Sequence, residues 1–153
     1  MSSRSIIASN KNDFRLKSQS GLLKAPLPLL GDPEGEYLPA ALPFTVDAHV
    51  HLFPAHLFSA VWQWFEQFGW PIRYRLTSPQ IINFLVSRGV NHIVALHYAH
   101  KPGVARDLNT YMAKMSRSHP AVTALATVFP GEKYAADILE AAFQSGLNGV
   151  KLH

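Results

Sequence analysis

The chain contains no cysteine. Disulfides and thiolate metal ligands are therefore excluded, and any metal must be held by imidazole, carboxylate or carbonyl groups. A reducing compartment suits such a composition, and a cytoplasmic location is expected. Long uninterrupted apolar runs are also missing, so no membrane span is expected. Charged residues are few, 16% against 48% apolar, a balance that favours a buried core over a chain disordered throughout.

Acid is nearly absent from the first 24 residues. Arg4, Lys11, Arg15, Lys17 and Lys24 face Asp13 alone, five bases against one acid, which accounts for the whole net charge of +4. Residues 25–153 hold the other nine basic and nine acidic groups and are neutral. The pI of about 9.5 thus describes a tail and not a face of the folded part, and nucleic acid is not an expected partner. The serine-rich, basic start is open to two readings, a disordered tail or an organelle-targeting segment.

What is present is punctuated by proline. Residues 24–43, "KAPLPLLGDPEGEYLPAALP", contain Pro26, Pro28, Pro33, Pro39 and Pro43. Each fixes φ and lacks an amide donor, so an extended arm is expected, with residues 1–43 as tail and arm and a domain over 44–153. From Phe44 the pattern alternates. A strand is expected over 44–52, and then a helix from Pro54 with Leu57, Phe58, Val61, Trp62, Phe65 and Phe68 at spacings of three and four. A second helix starts at "TSPQ", with Thr77 or Ser78 as cap and Pro79 in its first turn, and ends at Gly89. Strands at 92–98, 121–129 and 149–153 then alternate with helices over about 103–118 and 133–145. Those strand starts fall roughly 28–30 residues apart, the size of βαβ units, which predicts an α/β fold with a parallel sheet.

In the first strand, "VDAHVHLF" (46–53) sets two histidines one residue apart. Side chains alternate along a strand, so Asp47, His49 and His51 are expected on one face and Val46, Ala48 and Val50 on the other. Two imidazoles on alternate residues can converge on one divalent ion, zinc above all, with Asp47 orienting a ring from behind. The other reading is a pair of hydrogen-bonded histidines.

"VDAHVHLFP", with "AVTALATVFPGE" and "GLNGVKLH" further on, resembles the amidohydrolase-related (amidohydrolase 2) branch of the metal-dependent amidohydrolase superfamily over residues 44–153. The resemblance implies a (β/α)8 TIM-type barrel of which this chain is the N-terminal portion, about four βα units. It implies a metal-dependent hydrolase, or a decarboxylase of a small carboxylic acid, with His49 and His51 as metal ligands. The remaining ligands, from strands five, six and eight, and the aspartate that handles the proton, are expected to lie past "GVKLH". No residue is therefore assigned as catalytic, and the chain alone is expected to be inactive.

Other candidates surround this motif. Lys151 and His153 share a face of the last strand and could face the pocket. His97 and His100 end the second strand on opposite faces, so one of them could. Trp64 and Trp70 lie off the main helical stripe and are lid candidates, while Arg73 and Arg75 could meet a substrate carboxylate. His56, His92 and His119 read as surface residues. Competing with the hydrolase is a non-catalytic half-barrel that self-associates or pairs with a complementary C-terminal half, because an open parallel sheet leaves edges unpaired. A flavodoxin-like domain is disfavoured, because "HLFPAH" stands where a Gly-rich phosphate loop would be.

Overall fold

A strand needs both a partner and a side-chain period that suits a sheet, and the chain meets these conditions in two separate places. The computed structural model describes residues 13–18, 21–26, 35, 37–39, 41–70 and 72–153. Two compact units divide between Pro43 and Phe44. In the first, β1 (Asp13–Ser18) and β2 (Gly21–Pro26) form an antiparallel pair, with Asp13 opposite Pro26 and Ser18 opposite Gly21. This pair stands where a tail and an extended arm are expected. Apolar and basic residues alternate through Phe14, Arg15, Leu16 and Lys17, a period of two, and Pro26 falls on the last position of its strand, where a missing donor is tolerated.

The second unit alternates parallel strands with four helices. β3 (Val46–His51) is followed by α1 (Ala55–Phe68) and α2 (Ser78–Ser87). β4 (His92–Leu96), α3 (Ala105–Ser118), β5 (Val122–Ala124), β6 (Ala126–Thr127), α4 (Ala135–Gln144) and β7 (Val150–Lys151) complete it. β3, β4 and β5 pair in parallel in chain order, and β6 pairs with β7, also in parallel. Sequential order without a reversal differs from the 2-1-3 arrangement of a flavodoxin-like sheet.

Elements predicted as single strands are shorter or divided, for identifiable reasons. The 121–129 stretch splits at Leu125, whose amide donates to Ala95 O at 3.0 Å, while the next amide, Ala126, donates to Gly149 O at 3.0 Å. The chain thus passes from its β4 neighbour to its β7 neighbour within one residue. The second strand stops at Leu96 because the Ala99 amide donates to the Thr127 hydroxyl (3.1 Å) instead of joining a ladder. Gly146 (φ 92°) and Gly149 (φ 66°) turn the chain between α4 and β7 with backbone that costs side-chain-bearing residues about 1–2 kcal/mol.

The core lies between the strands and α3 and α4. Ile93, Ala95, Ala124 and Ala126 are fully buried on the strand side, and Met112, Leu108, Ile138 and Ala142 on the helix side. Each large side chain removed from water contributes roughly 1.5–3 kcal/mol. α1 packs differently. Only Phe58 of its fourteen residues is buried, with Phe53 and Leu108, and Trp62 stacks on it. Ser78 ties α2 to the segment after β3: its hydroxyl donates to Phe53 O (2.8 Å) and accepts from the Phe53 amide (3.0 Å). Of the two candidate caps Thr77 is the one used, and with Gln80 it forms a capping box.

Candidate metal centre

The register of β3 against β4 decides where the motif's side chains go. Val46 pairs with His92 and Asp47 with Ile93, but Val50 pairs with Ala95 and His51 with Leu96. Three residues of β3 thus span two of β4, which is a β-bulge at Ala48 and His49. The bulge corrects the expectation that Asp47, His49 and His51 share a face. Laterally paired residues point the same way, so Asp47 sides with Ile93, whereas His51 sides with Leu96 on the opposite face. The Asp47 carboxylate accepts the His49 amide at 3.1 Å. Among the described residues no hydrogen bond joins it to either imidazole, so Asp47 shapes the bulged backbone and does not orient a ring.

Re-aimed by the bulge, the two rings meet. Nε2 of His49 and Nε2 of His51 are 3.2 Å apart, with ring centroids at 5.1 Å. Two imidazole nitrogens each about 2.05 Å from one tetrahedral ion would be separated by about 3.3 Å. The spacing therefore fits a shared divalent ion, and it equally fits an N–H···N hydrogen bond between neutral rings. Among the described residues, no group of three or more His, Asp or Glu is arranged to hold a metal.

Burial, with the nearby His49 and Lys151, holds the His51 imidazole below its ordinary pKa of 6.5. This keeps the ring neutral, the form that binds metal. Phe53 stacks on His51 at 5.9 Å, and Tyr98 meets it edge-on at 5.7 Å. Its Nδ1 is buried without a partner, and such an unpaired group costs roughly 1–3 kcal/mol. When Nε2 is the ligating atom, Nδ1 carries the proton, so the uncompensated group is a donor.

Beside the histidine pair lies a pocket of about 660 Å³ lined by Phe53, Leu57, Ala60, Val61, Trp64, Phe65, Tyr98, His100 and His153. Of the predicted pocket residues, Trp64 and His153 line it, and the His153 ring sits 4.5 Å from Tyr98. Trp70 does not. The chain leaves α1 at Gly69 and lays the Trp70 indole against Phe65, at 4.9 Å, so Trp70 backs a lining residue without lining the pocket itself. Lys151 lies close enough to His51 to act on its charge but is not on the lining. Arg75 pairs with Glu66.

His97 is not on the lining either. It is fully buried against α3, with Nε2–H donating to Asn109 Oδ1 at 2.9 Å. Asn109 Nδ2 donates to Thr127 O and its Oδ1 accepts the Thr127 amide, which fixes the amide orientation and hence the His97 tautomer. Burial pushes the His97 pKa down to about 4; the Asn109 hydrogen bond opposes the shift and His51 adds to it. Of the opposite-facing pair, His100 reaches the pocket. His92, read as a surface residue, bonds Thr123 Oγ1 at 2.8 Å and is half-buried.

Sequence reasoning missed the polar frame behind the site. The Thr127 hydroxyl donates to Lys151 O at 2.7 Å as well as accepting from Ala99, so one side chain joins the ends of β4, β6 and β7. Asn109 gave a usable signal, a lone amide between Leu108 and Met112 on an otherwise apolar helix face. No family model matches this chain, and no curated protein or solved structure matches it.

Proposed function

We propose that this chain is the N-terminal part of a metal-dependent hydrolase of amidohydrolase-related type, built on a (β/α)8 barrel. His49 and His51 supply two ligands to a divalent ion, best zinc. The observation that carries this reading is the 3.2 Å approach of the two Nε2 atoms at the C-terminal end of a parallel strand, where barrels of this class place their chemistry. Sequential parallel order and the alternation of strands with helices support the barrel.

Bound there, the ion would lower the pKa of its water from 15.7 to about 7 and polarise the group under attack, in hydrolysis or in decarboxylation of a small acid. The chain's own residues bind and prepare. His49 and His51 offer neutral nitrogens, and Phe53 and Tyr98 pack against the His51 ring. The pocket receives a small-molecule substrate. Two imidazoles hold an ion weakly, and a catalytic centre of this kind needs at least one further protein ligand beside His49 and His51.

Isothermal titration of the chain with zinc tests this reading. One ion per chain is expected, and both His49→Gln and His51→Gln should abolish its binding. Zinc uptake that survives both substitutions would remove the proposal. A second reading, a non-catalytic half-barrel that self-associates or pairs with a complementary half, is favoured by apolar side chains exposed on the outer strands, Val46 and Val150 among them. Sedimentation velocity separates it: an assembly that forms equally in the histidine variants, with no zinc bound, supports that reading.

A further inference from the structure

The pocket next to the histidine pair has a chemistry of its own. Its wall is aromatic, with Phe53, Trp64, Phe65 and Tyr98 contributing rings, and its polar groups are the imidazoles of His100 and His153 and the Tyr98 hydroxyl. Among the described residues no Asp, Glu, Lys or Arg lines it. An ionised ligand would lose its hydration there with no opposite charge to replace it, a penalty of several kcal/mol. A flat apolar ligand instead exchanges water for ring faces, and 660 Å³ lies within the range of small-molecule sites.

We infer that this pocket binds a neutral, flat, largely apolar organic molecule, with one polar substituent directed to the His100 and His153 imidazoles. The inference deepens the hydrolase reading by naming a substrate class. The polar substituent is an uncharged oxygen function such as an ester, amide or hydroxyl, because an imidazole pair can donate to it or accept from it without a formal charge. Phe53 is the link to the metal centre: one ring lines the pocket and stacks on His51. A ligand lying on Phe53 is therefore held one ring away from the histidine pair. Trp64, half-exposed, lines the same pocket from α1.

A matched pair of fluorescent probes tests this. N-phenyl-1-naphthylamine is neutral, and 1-anilinonaphthalene-8-sulfonate carries the same rings with an anion added. Titrated into the full chain at pH 8 with a chelator present, the neutral probe should saturate one site, and the sulfonate should bind at least about tenfold more weakly. Trp64→Ala should weaken the neutral probe by about tenfold, Trp64→Phe should restore most of it, and Trp70→Ala should leave it unchanged. Equal binding of the two probes overturns the neutral-ligand inference, and that comparison needs no variant. Neutral-probe binding indifferent to Trp64→Ala in a variant with the wild-type circular dichroism overturns the location. Titrating the wild-type chain separately with zinc and with the neutral probe separates the two readings. Probe binding with no zinc uptake removes the metal centre but not the pocket; zinc uptake with no probe binding does the reverse.

Discussion

His97 makes the pH stability of the fold a measurable quantity. In the folded chain it is fully buried, donates Nε2–H to Asn109, and has its pKa pushed down to about 4 from an ordinary 6.5. An unfolded chain takes up a proton at His97 near pH 6.5, whereas the folded chain does not until near pH 4. Lowering the pH through that window therefore favours unfolding, and the stabilisation present above pH 6.5 is progressively lost. Linkage between the two values gives a loss of about 2 kcal/mol by pH 5 and about 3 kcal/mol at pH 4. His97→Gln keeps an N–H donor for Asn109 and removes the titration. Urea unfolding followed by far-ultraviolet circular dichroism at pH 7, 6, 5 and 4 should show wild type losing that much more stability than His97→Gln. The other titrating groups are common to both chains and cancel in the difference. Parallel pH profiles for the two proteins would refute the reasoning and place His97 in contact with water in the folded state.

Two further predictions concern the polar frame. Ser78→Ala strands the buried amide and carbonyl of Phe53 and should cost roughly 1–3 kcal/mol in urea unfolding, with Ser78→Thr losing less if the added methyl is accommodated. Thr127→Val leaves the Ala99 amide and the Lys151 carbonyl without their shared hydroxyl; a similar loss is expected, with faster amide exchange at Ala99, and Thr127→Ser should restore both. Unchanged exchange at Ala99 in Thr127→Val would mean that another group had taken over.

The helices were legible because their apolar residues recur over fourteen or ten positions, long enough for a period to declare itself. The histidine pair was legible from its spacing of two, although the bulge that aims His49 at His51 was not. Asp47 was misplaced because one extra residue in β3 leaves no trace in composition and reverses the face of everything before it. The division at Leu125 was equally silent: which neighbour an amide pairs with is a property of the sheet and not of the residue. Asn109 marked itself as a lone amide in an apolar stripe, but its partner Thr127, 18 positions away, could be identified only once the fold placed the two side by side.

The bulge also changes what an insertion or deletion would do here. In a regular central strand, removing one residue throws every later side chain onto the wrong face. In β3 the surplus residue is already present, so removing Ala48 would leave Val46 opposite His92, Asp47 opposite Ile93, Val50 opposite Ala95 and His51 opposite Leu96. Only the aim of His49 would change. The separation of the two imidazoles can thus be altered by residue count alone, with both histidines and the surrounding sheet intact. Length variation at this one position would reset the distance between the two rings without replacing either of them.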